Sequence, residues 1–191
     1  MKLTDIIEKL EQDPRNQAYT VRGIPPIFQI HAQAKILIIG QAPGRKVEET
    51  KIPFNDKSGD TLRQWLGVDK DTFYGEKIGI MPMDFYYPGK GKSGDLPPRK
   101  FIAQEYHPLL RQLMPAVQLT LLIGNYALKY YLGKSRKRNL TETVRSYQEY
   151  LPDFFPLVHP SPLNFRWQRN NPWFQAEIVP ILQQQVKQLL Q

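Results

Sequence analysis

The stretch KILIIG, from Lys35 to Gly40, is the segment from which we infer the fold. After its lysine it is a continuous apolar run that ends at a glycine. Such runs are typical of a strand that lies in a parallel sheet and is buried on both faces. Three further segments are predicted strands on the same ground: EKIGIMPM at 76–83, VQLTLLIG at 117–124 and FFPLVH at 154–159.

Helical patterns lie before, between and after these strands. The first covers residues 3–12, where apolar residues recur at the spacing of one helix face. The other predicted helices lie at 59–66, 98–113, 125–132 and 173–190. This alternation predicts an α/β fold, a three-layer α/β/α sandwich around a mostly parallel four-stranded central sheet. A chain of 191 residues is expected to form one domain, covering residues 1–191.

The composition narrows the classes of function. There are no cysteines, which excludes disulfides, thiolate zinc sites and cysteine-ligated iron–sulfur clusters. The three histidines share no ligand spacing, so we expect no metal and no other cofactor. No apolar run reaches the ~18 residues of a membrane span, and the N-terminal residues are too polar for a secretory signal. We expect a cytoplasmic monomer without membrane contact, and the net charge of +8 favours a polyanionic partner such as nucleic acid.

Polar motifs follow each of the four predicted strands. Because the carboxyl ends of parallel strands meet at one edge of the sheet, we expect these motifs to share a single cleft. The motifs are GQAPG at 40–44, PMDFYYPG at 82–89, GNYA at 124–127 and HPSPLN at 159–164.

The first of these motifs has the composition of a tight ligand-binding turn. Gly40 and Gly44 allow the backbone to turn and to approach a ligand closely, and Pro43 fixes the turn. Exposed amides in such a turn can hold an anion or the edge of a base, although an ordinary turn between strand and helix has the same pattern. Further on, Phe54 is either a stacking platform for a flat ligand or a loop residue that dips into the core.

Carboxylates flank the KSG sequence that follows Phe54. Asp60 or Ser58 suits the N-cap of the next helix, which leaves Asp56 as the freer carboxylate. Two basic segments, Tyr86–Arg99 and Lys134–Arg138, are candidate phosphate contacts or simply exposed loops. The GKGKSG sequence in the first of them lacks the residue order of a nucleotide-binding P-loop.

The order GQAPG, IPFNDKSGDTL and HPSPLN resembles the uracil-DNA glycosylase superfamily, in particular branches whose first motif is GxAPG. The resemblance extends from Lys35 to about Arg166. It implies a base-excision repair enzyme, a monofunctional and cofactor-independent DNA glycosylase. Such an enzyme hydrolyses the N-glycosidic bond of uracil or another deaminated base, so its partner is DNA that contains a damaged base.

The resemblance also implies roles for individual residues. His159 would donate a hydrogen bond to a carbonyl oxygen of the departing base, and Asp56 would orient the attacking water and stabilise the cationic sugar. Leu163 would be the wedge inserted where the base leaves the helix. The implied substrate-binding residues are Gly40, Gln41, Ala42, Pro43, Gly44, Phe54, Met83 and Asp84. The implied DNA-binding residues are Ser161, Leu163, Asn164 and Arg166.

Three positions depart from the superfamily pattern. Ala42 stands where the best-known branch has a water-positioning aspartate, and Gln41 stands where the iron–sulfur branch has glutamate. The asparagine that reads uracil after the second strand is missing, and Met83 and Asp84 lie near its place. Asp84 would pair with an amino or imino group, which favours a lesion other than uracil.

Two alternatives follow from these departures. The first is a nucleic-acid-binding protein on the same fold with weak catalysis or none. The second is an enzyme that acts on free nucleosides or nucleotides, since one fold serves many functions.

Overall fold

A computed structural model describes all 191 residues and contains one four-stranded sheet. The strands are β1 (Ile36–Ile39), β2 (Ile78–Ile80), β3 (Leu119–Ile123) and β4 (Phe154–Leu157), and their order in the sheet is β2-β1-β3-β4. Every neighbouring pair is parallel, which confirms the predicted sheet. Each strand lies inside the segment predicted for it.

Ten α-helices surround the sheet. They are α1 (Leu3–Gln12), α2 (Gln17–Thr20), α3 (Arg45–Thr50), α4 (Lys57–Leu66), α5 (Lys70–Phe73), α6 (Lys100–Gln112), α7 (Gly124–Leu132), α8 (Leu140–Arg145), α9 (Phe165–Asn170) and α10 (Val179–Leu190). The last predicted helix, 173–190, is continuous, with a π-helical turn at Phe174–Ile178 that leads directly into α10. No helix combines the length and the hydrophobicity that a membrane span requires.

The two faces of the sheet carry separate hydrophobic cores, which gives the predicted three layers. Side chains of a strand alternate between faces, so Ile36 and Ile38 pack into one core while Leu37 and Ile39 pack into the other. The first core includes buried residues of α4 and α10, and the second includes buried residues of α1, α6 and α7. A strand buried on both faces explains why KILIIG is apolar at every position after its lysine.

Candidate active site

A pocket of about 290 Å³ lies where the segments after β1, β2 and β4 meet. It contains most of the residues that the sequence singles out, from both motifs. Those that line it are Gly40, Gln41, Ala42, Pro43, Gly44, Phe54, Asp56, His159, Ser161 and Leu163. A cleft at the carboxyl edge of the sheet is therefore present, but the prediction that all four motifs share it is wrong for GNYA, none of whose residues lines this pocket.

The GQAPG motif is held in place by the segment that follows β2. The backbone N–H of Met83 donates to the carbonyl oxygen of Gly40 at 2.9 Å, and that of Asp84 donates to the carbonyl oxygen of Gln41 at 3.1 Å. A Cβ atom on Gly40 would lie 3.0 Å from Cζ of Phe54, so the absence of a side chain at Gly40 leaves room for the phenyl ring. The motif ends at Gly44, which is the N-cap residue of α3.

Phe54 adopts a strained backbone conformation beside the pocket. Its φ of 55° lies in the left-handed region, which bulky residues rarely adopt. The hydroxyl of Tyr74 donates to the carbonyl oxygen of Pro53 at 2.9 Å, and Arg63 donates to the carbonyl oxygen of Phe54 at 3.4 Å. The first turn of α4 lies so close that a Cβ on Gly59 would overlap the same oxygen. Such strain persists only where the surroundings hold it, and it is common at functional sites.

The ring of Phe54 is placed both to stack on a flat ligand and to contact the core, the two alternatives that the sequence left open. It lines the pocket, and it also packs at right angles to the buried ring of Phe73, with 6.2 Å between the centroids. Contact with the core fixes the orientation of a ring that still borders the open space.

Asp56 is the N-cap of α4, and the prediction of Asp60 or Ser58 for this role is wrong. Its Oδ1 accepts a hydrogen bond from the backbone N–H of Gly59 at 2.9 Å. Its Oδ2 accepts no hydrogen bond from the protein and points toward the GQAPG turn, 3.9 Å from where a Cβ of Gly44 would stand. Asp60 instead pairs with Arg63 at 2.6 Å and is 74% exposed. Asp56 thus uses one oxygen for the helix and leaves the other for the pocket.

His159 follows β4 and is mostly buried in the pocket wall. The backbone N–H of Ser161 donates to its Nδ1 at 3.2 Å, so Nδ1 is an acceptor and the ring proton of the neutral form resides on Nε2. Burial lowers the pKa of His159 below its usual 6.5, and the carboxylates of Asp56 and Asp95 oppose that shift. The result is a neutral imidazole near pH 7 that can donate one hydrogen bond from Nε2.

The rest of the HPSPLN loop forms a rigid turn with an exposed tip. Ser161 Oγ accepts from the backbone N–H of Leu163 at 3.2 Å, and the side-chain amide of Asn164 donates to the carbonyl oxygen of His159 at 2.7 Å. Asn164 therefore secures the loop and does not line the pocket. Leu163 is 85% exposed at the tip, and Phe165, which the sequence analysis missed, is exposed beside it.

Arg166 lies outside the pocket. It is exposed on α9, one residue after Phe165, and forms no salt bridge. Its guanidinium is free for an anion on the outer surface.

The interpretation of Asp84 as a group that reads the base is corrected by its surroundings. Its side chain is 0% exposed, and both oxygens are engaged by Arg99, at 2.8 Å from Nε and 2.8 Å from Nη2. The backbone N–H groups of Tyr86 and Arg99 donate to the same carboxylate at 3.1 and 3.0 Å. A carboxylate satisfied in this way has no acceptor left for a ligand. Met83 is also buried and borders a different pocket, so neither residue lines the site.

A second carboxylate, which the sequence analysis did not identify, borders the pocket. Asp95 lies at the end of a glycine-rich turn, where an antiparallel bridge joins it to Lys90. The left-handed φ values of Gly89 and Gly94, 102° and 84°, shape this turn. The hydroxyl of Tyr87 donates to Oδ1 of Asp95 at 3.2 Å. The turn signal was visible in GKGKSGD, but its long-range contact with the pocket was not.

Comparisons with known proteins agree with this fold. The family model of the uracil DNA glycosylase superfamily matches residues 27–183. A solution NMR structure of a Methanosarcina acetivorans protein, described as a candidate uracil DNA glycosylase, has a similar fold with a TM-score of 0.50. The match covers 84% of this chain and 98% of that chain at 15% sequence identity, a level that supports likeness of fold alone. Because the family match includes both motifs and all four strands, this chain belongs to the uracil DNA glycosylase superfamily.

Proposed function

We propose that the protein is a DNA glycosylase that hydrolyses the N-glycosidic bond of uracil or another deaminated base in DNA. The observation that carries the proposal is the presence of a neutral histidine donor and an unpaired carboxylate oxygen in one pocket. These are Nε2 of His159 and Oδ2 of Asp56. The superfamily supports glycosylase chemistry in general, and the identity of the lesion is part of the proposal.

The proposed reaction breaks the bond between the sugar C1′ and the base nitrogen. The electron pair of that bond leaves with the base, and His159 Nε2–H donates to the carbonyl oxygen on which negative charge develops. Water adds to C1′ and gives its proton to Asp56, whose charge also stabilises the cationic sugar. The departing base takes up a proton from solvent and Asp56 releases the one that it accepted, so the products are the free base and an abasic sugar.

The neighbouring groups suit an extrahelical base. The flat ring of Phe54 borders the pocket, and a volume of about 290 Å³ is enough for a single base. Exposed Leu163 is placed to fill the gap that a flipped base leaves in the duplex. The net charge of +8 favours attraction of the phosphate backbone. Action as a monomer in the cytoplasm stays a prediction.

The test is cleavage of labelled oligonucleotides that carry uracil, hypoxanthine or xanthine, as single strands and as duplexes, followed by alkali. The variants are His159→Ala and Asp56→Asn, and loss of one oxyanion donor is expected to lower kcat by roughly 10²–10³. Asp71→Asn is the matched control, because Asp71 is an exposed carboxylate that lies outside the pocket and forms no salt bridge. Absence of cleavage for every lesion would contradict the proposal.

The second candidate is a nucleic-acid-binding protein without catalysis. Two observations favour it: Ala42 replaces an acid in the first motif, and Asp56 commits one oxygen to capping α4. This candidate predicts salt-dependent DNA binding with no product, weakened by Arg166→Ala. The same assay with free nucleosides tests the remaining alternative, since turnover of nucleosides alone would exclude both DNA-directed functions.

A further inference from the structure

A second pocket, of about 420 Å³, lies beside the candidate active site. The two pockets meet at the segment after β2, where Pro82 borders the first and the next residue, Met83, borders the second. Its walls come from the start of α6, with Lys100 and Gln104, and from α7, with Tyr126 and Lys129.

The charges around the second pocket favour an anion. Arg99, Lys100 and Lys129 border it, and no carboxylate does. Arg99 is bound to Asp84, whereas Lys100 and Lys129 form no salt bridge. Two ammonium groups are therefore available to a ligand.

Two tyrosines one helical turn apart border the same pocket and supply a flat surface. Tyr126 and Tyr130 are each 42% exposed. Tyr130 is fixed, because its hydroxyl donates to the carbonyl oxygen of Ala103 at 3.2 Å and its ring packs against Tyr131 at 5.0 Å. Tyr126 has neither a hydrogen-bond partner nor an aromatic neighbour in the protein. An exposed aromatic ring flanked by unpaired lysines is the combination that binds single-stranded nucleic acid, by stacking and by charge.

We propose that the second pocket binds a nucleotide of the substrate DNA strand that flanks the base in the first pocket. Its base stacks on Tyr126, and the adjoining phosphates contact Lys100 and Lys129. The inference rests on the proposed function, because it assumes that the first pocket binds a base of the same DNA strand. It adds a contact that does not depend on the lesion, so it applies to unmodified DNA as well.

The test measures binding, not cleavage, so its result is independent of catalysis. Fluorescence anisotropy with an unmodified nine-nucleotide strand compares the wild type with Tyr126→Ala, Tyr126→Phe and Lys129→Ala. Tyr126→Ala is expected to weaken binding by roughly fivefold to a hundredfold, and Tyr126→Phe, which keeps the ring, by little. Lys129→Ala is expected to lower the slope of log affinity against log salt by about 0.7, the value for one phosphate contact on a single strand.

The controls separate this site from general electrostatics. Lys187→Ala removes the same charge from α10, which packs on the opposite face of the sheet, and should leave the salt slope unchanged. Unchanged binding of the nine-nucleotide strand by Tyr126→Ala would overturn the inference. The inference would also be overturned if a mononucleotide saturated the second pocket without displacing the strand. Loss of binding in Tyr126→Ala without any cleavage by the wild type would support this site while refuting the glycosylase proposal.

Discussion

The backbone N–H of Ser161 donates a hydrogen bond to Nδ1 of His159 at 3.2 Å. This contact fixes which nitrogen of the neutral ring carries the proton and leaves Nε2–H as the donor of the pocket. Pro160 lies between the two residues and limits the backbone freedom of the loop that makes the contact. The short HPS sequence therefore sets the tautomer of the histidine, and Asn164 helps to hold its backbone.

Activity is expected to fall as the pH drops below the pKa of His159. Protonation places an N–H on Nδ1 opposite the N–H of Ser161, which removes the contact that orients the ring. Because burial lowers this pKa, the acid limb of a plot of kcat/KM against pH should lie below 6.5. The carboxylate of Asp95 raises the same pKa, so Asp95→Asn should move the limb to lower pH. An acid limb above pH 6.5, or a shift of the limb to higher pH in Asp95→Asn, would contradict this account. NMR titration of the ring nitrogens gives the pKa without reference to activity.

The second prediction concerns the contact between Gly40 and Phe54. A methyl group on Gly40 would lie 3.0 Å from Cζ of Phe54, so Gly40→Ala should displace the ring from the pocket wall. The expected result is a loss of kcat/KM of about tenfold or more, because misplacement of a positioning group by about 1 Å has large effects. The control is the same substitution in a Phe54→Ala background, where the added methyl group has no phenyl ring to displace. An equal loss from Gly40→Ala in both backgrounds would show that the phenyl ring is not responsible.

Local patterns predicted the four strands, the main helices and most of the pocket, because a parallel sheet brings its strand ends to one edge. They failed where a residue's partner is distant in the sequence. The sequence makes Asp84 a candidate ligand-binding group, but Arg99, fifteen residues away, engages both of its oxygens. Asp95 has no local signal of its role, because a turn pattern does not reveal which surface the turn approaches. The φ of Phe54 is likewise imposed by Arg63, Tyr74 and Gly59, and its own side chain does not favour it.

The third prediction is a loss of stability in acid that originates at His107. Its Nε2 contacts the carbonyl oxygen of Pro82 at 2.9 Å, so it must carry the proton, and Nδ1 accepts from the hydroxyl of Tyr131 at 2.6 Å. Burial lowers the pKa of His107 to about 4. His107 therefore binds a proton near pH 6.5 in the unfolded chain but only near pH 4 in the folded chain. The free energy of unfolding declines as the pH falls through that window.

The size of this effect follows from the two pKa values. Between pH 7 and pH 5 the free energy of unfolding should fall by about 2 kcal/mol on account of His107 alone. Urea unfolding at the two pH values measures the change. His107→Gln should be less stable at pH 7 but should lose about 2 kcal/mol less than the wild type on acidification. An identical pH dependence in the variant would assign the effect to other groups. The matched control is His31→Gln, for a histidine that the core does not bury.

The last prediction separates wedge insertion from general DNA affinity at Leu163. Its side chain is 85% exposed, so Leu163→Ala should leave the free energy of unfolding nearly unchanged. If the side chain fills the space of a flipped base, the variant should lose about tenfold in kcat/KM on a duplex, where unstacking costs a few kcal/mol. The loss on a single strand should be much smaller, because less stacking has to be replaced. Leu96→Ala is the control, since Leu96 is another exposed leucine, 43% accessible, outside the HPSPLN loop and not part of the pocket lining. An equal loss on both substrates would indicate that Leu163 contributes to binding in general and does not act as a wedge.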